Sequence, residues 1–421
     1  MADAASQTIL VVGGGITGLT VAVEAAEVGH NVILVEKNPY LGGRVAQLNK
    51  YFPKLCSPAC GLEINYQRIK KNPLIEFHTL AEVTALTGSE GNYTATIRQS
   101  PRFVSSNCTA CGDCEKACET MVSNPFEYGD AEAKGIRNGH VMAYPNTYFM
   151  DPDFAQSDAA KKLVDICPVK AIDPAMEATE VKIPVTTVVY ATGWTPYDAE
   201  KIQPYGFGRF PNVTTNMRLE RMANLQGPTK GKISRPSDGK ELKNVAFIQC
   251  AGSRDHNHLP YCSRVCCLAS MKQTTYVREQ YPDAQVTVYY IDLRAMDKYE
   301  KFMQKVQEDE KIRWIKSKPA RIEEDADGNP IVIGEDTLTG ERYAETYDLV
   351  VLATGMETNT AASKVPAESV EYDDYGFIAN SGTAGIHAAG CSIGPLDVST
   401  SVQAATAATL KAIQTLAKAR G

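Results

Sequence analysis

TILVVGGGITG, residues Thr8–Gly18, decides the fold. An apolar run of strand character leads straight into glycines, and a helical pattern from Leu19 to Val28 follows. A second apolar run, NVILVE, ends on Glu36. Strand, G-x-G-x-x-G turn, helix and a strand closing on an acid make one βαβ dinucleotide-binding unit. The glycines allow a tight turn and let a pyrophosphate approach the helix N-terminus, where free N–H groups and the dipole favour an anion. Gly13, Gly15 and Gly18 are therefore the candidate phosphate turn. Glu36, with Lys37 beside it, is the candidate ribose contact.

Leu41-Gly42-Gly43-Arg44 continues this fingerprint in the manner of flavoprotein oxidoreductases. FAD is expected over NAD, with Gly43 and Arg44 among its contacts. Near the other end of the chain, His387-Ala388-Ala389-Gly390 resembles the late flavin motif of such proteins. Cys391 follows, where many of them have Asp; it is either a cofactor neighbour or a small packing residue. Asp397 is the candidate replacement contact to the ribityl chain. A helix beginning near Ser401 would aim the N–H groups of Val402 and Gln403 at the N1 and O2 edge of a flavin.

The same architecture appears a second time. VAFIQ (245–249), a helical stretch from Leu268 to Gln280 and QVTVYYID (285–292) follow one another as strand, helix and strand. Each copy is closed by a strand ending in Ala-Thr-Gly, TTVVYATG (186–193) and DLVVLATG (348–355), the first of which carries Thr192 and Gly193 to the flavin. The expected fold is α/β, with two Rossmann-like, thioredoxin-reductase-like nucleotide-binding domains and a small ferredoxin-like insert. The expected boundaries are 1–100, 181–196 and 356–421 for the FAD domain, 101–180 for the insert and 197–355 for the second domain.

Inside 101–180 sustained periodicity disappears and cysteines take over. Cys108-x2-Cys111-x2-Cys114-x3-Cys118 is the spacing of bacterial ferredoxins, and Cys167-Pro168 looks like the end of a ferredoxin second half. In that arrangement three clustered cysteines and the distant Cys-Pro cysteine share one cubane. Cys108, Cys111, Cys114 and Cys167 are accordingly the candidate ligands of a [4Fe-4S] cluster, and Cys118 is left over. A core this poor in apolar residues is expected to need its cofactor to fold.

The second nucleotide turn has been rebuilt from thiols. After Gln249, where an NADPH-binding domain would place its glycines, stand Cys250-Ala251-Gly252, and then Cys262-x3-Cys266-Cys267. One glycine cannot make the phosphate turn. The four cysteines suit a second [4Fe-4S] cluster; a zinc site, with His256 and His258 as possible substitute ligands, and plain burial of small residues remain alternatives. Cys56 and Cys60 form C-x3-C, readable as a redox pair, as cluster ligands or as inert packing.

The bulk composition, 43% hydrophobic and 22% charged, is that of an ordinary soluble globular protein. The chain has 421 residues, a net charge of −7 and no dense basic stripe, which argues against nucleic acid as a partner. No stretch approaches the ~18 uninterrupted apolar residues of a membrane span, and the start has no secretory leader. A cytoplasmic protein is expected, in which twelve cysteines speak for metal or redox work and against disulfides.

GGGITG, LGGRV, CTACGDCEKAC, CPVKAID, C-x11-C-x3-C-C, YYIDLRA and AAGCSIGP together resemble the A subunit of heterodisulfide reductase. That resemblance implies a thioredoxin-reductase-like flavin core with an inserted ferredoxin domain, FAD, and two [4Fe-4S] clusters, the second held by Cys250, Cys262, Cys266 and Cys267. A chain that starts at the flavin fingerprint and ends after the flavin helix looks most like the A subunit of the quinone-interacting membrane-bound oxidoreductases of sulfate reducers. The implied role is then to link menaquinol to adenylylsulfate reductase. A sister B subunit with flavin and iron–sulfur centres and a haem-bearing membrane C subunit would hold the chain peripherally on the cytoplasmic face of the inner membrane. Two further readings are a flavin-bifurcating component of a soluble heterodisulfide reductase complex and a stand-alone NAD(P)H-dependent disulfide reductase using Cys56 and Cys60.

Overall fold

The computed structural model describes residues 7–52 and 54–420, so the first six residues, where a leader would begin, lie outside the described residues. Two compact units are present. The first runs to Trp194 and resumes over Thr358–Gly394 and from Val398; the second comprises Thr195–Glu357 and Pro395–Asp397.

The first unit begins with β1 (Thr8–Val12), α1 (Ile16–Glu27), β2 (Asn31–Glu36), α2 (Pro58–Lys71), β3 (Ile75–Thr79), β4 (Ala81–Ser89) and β5 (Asn92–Gln99). The insert contains α3 (Asp113–Ala117) and α4 (Asp158–Ile166), and β6 (Thr179–Val185) and β7 (Thr187–Tyr190) follow. The second unit holds β8 (Val213–Thr215), α5 (Asn216–Ala223), β9 (Asn244–Ala251), α6 (Cys266–Gln280), β10 (Gln285–Tyr290), β11 (Ile312–Lys316) and β12 (Leu349–Thr354). The chain then returns to the first unit as β13 (Ile386–Ala388) and α7 (Val398–Arg420).

A parallel sheet of order β13-β7-β1-β2-β3 centres the first unit. Both of its faces are covered, which is why β1 and β2 read as continuous apolar runs. Alternate residues serve opposite layers. Ile9 and Val11 face a core formed with α1, α2 and α7, while Leu10 faces a core shared with the antiparallel sheet β6-β5-β4. Burying each of these three side chains contributes ~1.5–3 kcal/mol. On the helical side, Ala22, Ala25 and Ala26 of α1 and Ala405, Ala408 and Ala412 of α7 share that core. Small side chains let these helices approach closely, which secures the chain's return across the sheet.

The second unit repeats the plan with parallel order β8-β12-β9-β10-β11. β9 and β10 correspond to β1 and β2, and β12 to β7. The outermost strand differs in origin, coming from the carboxyl end in the first unit and from the entry into the domain in the second.

The insert packs within the first unit around Phe103, Ile136, Phe154 and Leu163, with Cys118 among them. Its first helix is too short to show a period, whereas α4 carries Ala160, Leu163 and Val164 at helical spacing. Arg102 fastens it by donating from Nη2 to the Pro39 carbonyl and to Thr79 Oγ1, both at 2.6 Å. The Leu41 N–H donates to the Tyr144 carbonyl at 2.8 Å, and the Tyr144 ring stacks on Tyr66.

Three element limits depart from the sequence reading. α1 starts at Ile16 and not Leu19, as the glycine turn feeds it directly. α6 starts at Cys266 and not Leu268, which places two cysteines in its first turn. α7 starts at Val398 and not near Ser401.

Candidate functional site

The dinucleotide turn lies between β1 and α1. Gly13 has φ +112°, and a Cβ there would stand 2.2 Å from the Ala191 carbonyl oxygen. A Cβ on Gly18 would stand 1.8 Å from the Gly13 oxygen. Only glycine fits at these two contacts of backbone on backbone. Beside Gly15, by contrast, a Cβ would meet nothing nearer than the Gly43 Cα at 3.9 Å. No side chain caps α1, so its first N–H groups face an open approach, which suits a pyrophosphate.

Glu36 is buried and braces this turn. One carboxylate oxygen accepts from the Gly14 N–H at 2.6 Å, and the other accepts from the Asn38 N–H at 2.8 Å and Asn38 Nδ2 at 2.7 Å. Burial pushes its pKa up, against the pull of these donors. A carboxylate has about four acceptor positions, so ribose hydroxyls could still be bound. Lys37 is exposed. Arg44 donates from Nε to the Trp194 carbonyl at 3.0 Å and from Nη1 to Gln47 Oε1 and Tyr128 Oη, each at 3.3 Å. The arginine after the second glycine pair therefore ties the insert, through Tyr128, to the flavin turn.

On the other side, Thr192 and Gly193 end the β7 turn, with Gly193 at φ +75°. Ser392 Oγ accepts from the Thr192 N–H at 2.9 Å, and Asn359 Nδ2 donates to the Thr192 carbonyl at 2.6 Å. Both partners escaped the sequence reading. Ser392 could have been found as the residue after Gly390-Cys391, whereas nothing local marks Asn359. Gly390 packs against Thr17, and Cys391 is buried.

The expected helix start at this end is corrected. With α7 beginning at Val398, the N–H groups of Val402 and Gln403 lie within its hydrogen-bonded ladder. The first-turn N–H groups are those of Val398, Ser399 and Thr400. Asp397 accepts from Arg264 Nε at 3.3 Å within the second unit, which leaves acceptor positions on its carboxylate.

The insert carries a pocket lined by Cys108, Cys111, Cys114 and Cys167 together with Pro168 and Tyr148. About 320 Å³ of empty space, part of it open to solvent, separates these side chains. Among the described residues no three His, Cys, Asp or Glu side chains converge as ligands of one ion. Thiols spread around a space fit a cubane, whose irons stand apart, better than a single zinc. Ala110 and Lys170 take left-handed φ values of 54° and 49°, which turn the chain around the sulfurs. The Ala110 N–H donates to Cys108 Sγ at 3.4 Å and the Ala171 N–H to Cys167 Sγ at 3.2 Å. Cys118 lies outside this pocket, 2% exposed, and donates to the Thr120 carbonyl.

The second thiol group forms where β9 ends. Pairing with β12 shifts register between Ile248 and Ala251, and Cys250 sits in this irregularity at φ +55°. Cys266 and Cys267 occupy the first turn of α6, and Cys262 precedes it. Ser253 and Ser263 hydroxyls, 2.9 Å apart, close the loop, and Ser263 also accepts from the Met356 N–H. The four thiols lie near enough to act on one another electrostatically, without three of them converging on one point. Burial chiefly pushes Cys250 up, Cys266 well above the ordinary thiol value and Cys267 to about 11. Such thiols stay neutral at pH 7 unless a metal displaces their protons. The histidines offered for zinc are elsewhere engaged or exposed: His258 Nδ1 is 2.9 Å from Tyr197 Oη, and His256 faces solvent.

Cys56 pairs by backbone with Tyr51, and Cys60 is exposed in the first turn of α2. No cysteine among the described residues is disulfide-bonded.

Comparison with known proteins bears on the flavin turn first. The FAD-dependent oxidoreductase family matches residues 8–98. An iron–sulfur A subunit of the CoB–CoM heterodisulfide reductase of Methanopyrus kandleri, the second of its kind in that organism, is 39% identical over 422 aligned residues, covering 97% of this chain and 64% of that one. The A subunit of the H2:CoB–CoM heterodisulfide, ferredoxin reductase of Methanothermobacter thermautotrophicus is 36% identical, covering 96% and 63%. Over this shared segment the chain is similar to the A subunits of heterodisulfide reductases. It spans less than two thirds of the length of these two relatives. Thioredoxin reductase of Lactococcus lactis shares the fold, with a TM-score of 0.51 at 15% identity, covering 98% of this chain and 99% of that one. Residues 8–98 thus match FAD-dependent oxidoreductases, and the relatives' names add iron–sulfur chemistry. Among the described residues no helix is long and apolar enough to cross a membrane.

Proposed function

We propose that this chain is the flavin and iron–sulfur core of a heterodisulfide-reductase-type complex, in which clusters take the place of nicotinamide. Cys108, Cys111, Cys114 and Cys167 would hold one four-iron cluster and Cys250, Cys262, Cys266 and Cys267 another. The observation that carries this reading is the second nest. Four thiols occupy the β9–α6 turn, the position at which the first unit builds its phosphate turn between β1 and α1. A bound FAD would supply the exchange between two-electron and one-electron chemistry. The protein's part is to seat the pyrophosphate on α1, to hold Glu36 at the ribose, and to keep the second nest dry.

The relatives' names favour a flavin that divides an electron pair between two acceptors. One of them joins hydrogen, CoB–CoM heterodisulfide and ferredoxin in a single name. Neither the Methanopyrus nor the Methanothermobacter name mentions menaquinol or adenylylsulfate reductase, so the bifurcating role is preferred to the link between those two. Partner subunits would contribute the acceptor sites and any attachment to a membrane.

The test is iron and flavin analysis of anaerobically purified protein, combined with a challenge by NADPH. Roughly eight irons per FAD are expected, from two four-iron clusters. The isolated chain should stay yellow with NADPH, and rapid bleaching would sink the proposal. In the assembled complex the flavin should titrate as a cooperative two-electron centre; two well-separated one-electron steps would favour a simple relay.

A further inference from the structure

We propose that Arg254 sets the reduction potential of the cluster in the second nest, and that Asp292 trims the charge Arg254 presents to it. The inference rests on the reading of this nest as a four-iron site. Three charged side chains border the thiols. Arg254 is held at φ +54°, with its N–H donating to the Tyr261 carbonyl at 3.0 Å, so its side chain leaves the loop from a fixed turn. Its Nη2 lies 2.8 Å from Asp292 Oδ2, and its charge acts on the Cys250 sulfur. The backbone carbonyl of Asp292 accepts from Cys267 Sγ at 3.6 Å, so the ion pair abuts the nest through both Cys250 and Cys267. Arg294 Nη2 stands 3.8 Å from the same carboxylate and acts on Cys250 and Cys267. Two cations thus share one anion at the edge of the nest.

Uptake of one electron adds a negative charge to a cluster whose thiolates are already anionic. In a buried nest that charge is poorly screened, so a guanidinium nearby stabilises the reduced form more than the oxidised one. Backbone N–H groups reach sulfur in both nests, those of Ala110 and Ala171 at Cys108 and Cys167 in the insert and that of Arg264 at Cys262 in the second, so what marks the second nest is the Arg254–Asp292 ion pair. The opposing account makes Arg254 a clamp that merely holds the loop to Asp292. The two accounts differ in sign. If charge matters, removing Arg254 and removing the Asp292 charge shift the potential in opposite directions; if the clamp matters, both variants loosen the same loop alike.

The experiment is a potentiometric titration of the full anaerobic flavoprotein with soluble mediators and dithionite, following the EPR signals of the reduced clusters. Arg254→Gln should make the second cluster at least tenfold harder to reduce, a fall of about 59 mV for one electron. Arg254→Lys should recover most of that, Asp292→Asn should shift the potential upward, and the insert cluster should not move. An unchanged potential in Arg254→Gln, or shifts of the same sign in Arg254→Gln and Asp292→Asn, would overturn the inference. Should Arg254→Gln lose its iron, the direction of the Asp292→Asn shift decides by itself. A wild-type protein with only four irons and a metal-free second nest would instead refute the proposed function on which this rests.

Discussion

The two thiol nests of this chain are built by opposite means. The insert's nest is local: three cysteines lie within seven residues, left-handed Ala110 and Gly112 turn the chain between them, and Cys167 closes the far side. It is partly open, with Cys111 exposed. The second nest is assembled by the sheet. Cys250 ends β9, Cys266 and Cys267 begin α6, and three of its four cysteines are buried. A small domain with a modest core needs its metal to stay folded, whereas a five-stranded sheet provides a frame that stands without one.

The largest effect that tests this contrast is expected in the insert. Cys111→Ser should remove about four of roughly eight irons and also expose residues 101–178 to limited proteolysis, because ligand binding there is folding free energy. Cys266→Ser should cost the same iron but leave the circular dichroism and the proteolytic pattern of the second unit intact. If Cys266→Ser unfolds its unit and Cys111→Ser does not, the contrast is reversed.

Next comes the response of the iron-free chain to alkali. Cys250, Cys266 and Cys267 have folded pKa values above their unfolded ones, so the folded state holds protons that the unfolded state releases. Their stabilisation is complete below the unfolded thiol range and is lost as pH rises through it. For Cys267, at about 11 when folded, the loss amounts to about 2–3 kcal/mol between pH 9 and 11. Urea unfolding across this range should show it, more steeply in the wild type than in Cys267→Ser; parallel curves would dismiss the burial argument.

The smallest effect concerns Cys118, which shares the ferredoxin spacing but packs in the insert's core. Cys118→Ala should leave the iron content unchanged and cost about 1 kcal/mol in thermal unfolding through lost packing. Loss of four irons would place Cys118 among the ligands.

Much of this was legible beforehand. β1, β2 and the glycine turn follow from periodicity and from the steric demand at Gly13 and Gly18. The strands β4, β5 and β6 were not announced, although Tyr93, Ala95 and Ile97 of β5 and Val181, Ile183 and Val185 of β6 alternate with other residues at the strand period, a signal that was there to be read. Val402 and Gln403 were misjudged because the sequence around Ser401 gives no sharp start signal. Nothing near Thr192 indicates that Asn359 would hold its carbonyl.

The order of motifs, the spacing of cysteines in the insert and the doubling of the dinucleotide plan are properties of the chain read alone, because they depend on short-range geometry that a few neighbouring residues impose. The convergence of Cys250 with Cys262, Cys266 and Cys267, and the placing of Arg254 and Asp292 beside them, belongs to the tertiary structure. Parallel strands bring their carboxyl ends to one edge of a sheet, and only there do residues distant in sequence share one dielectric environment.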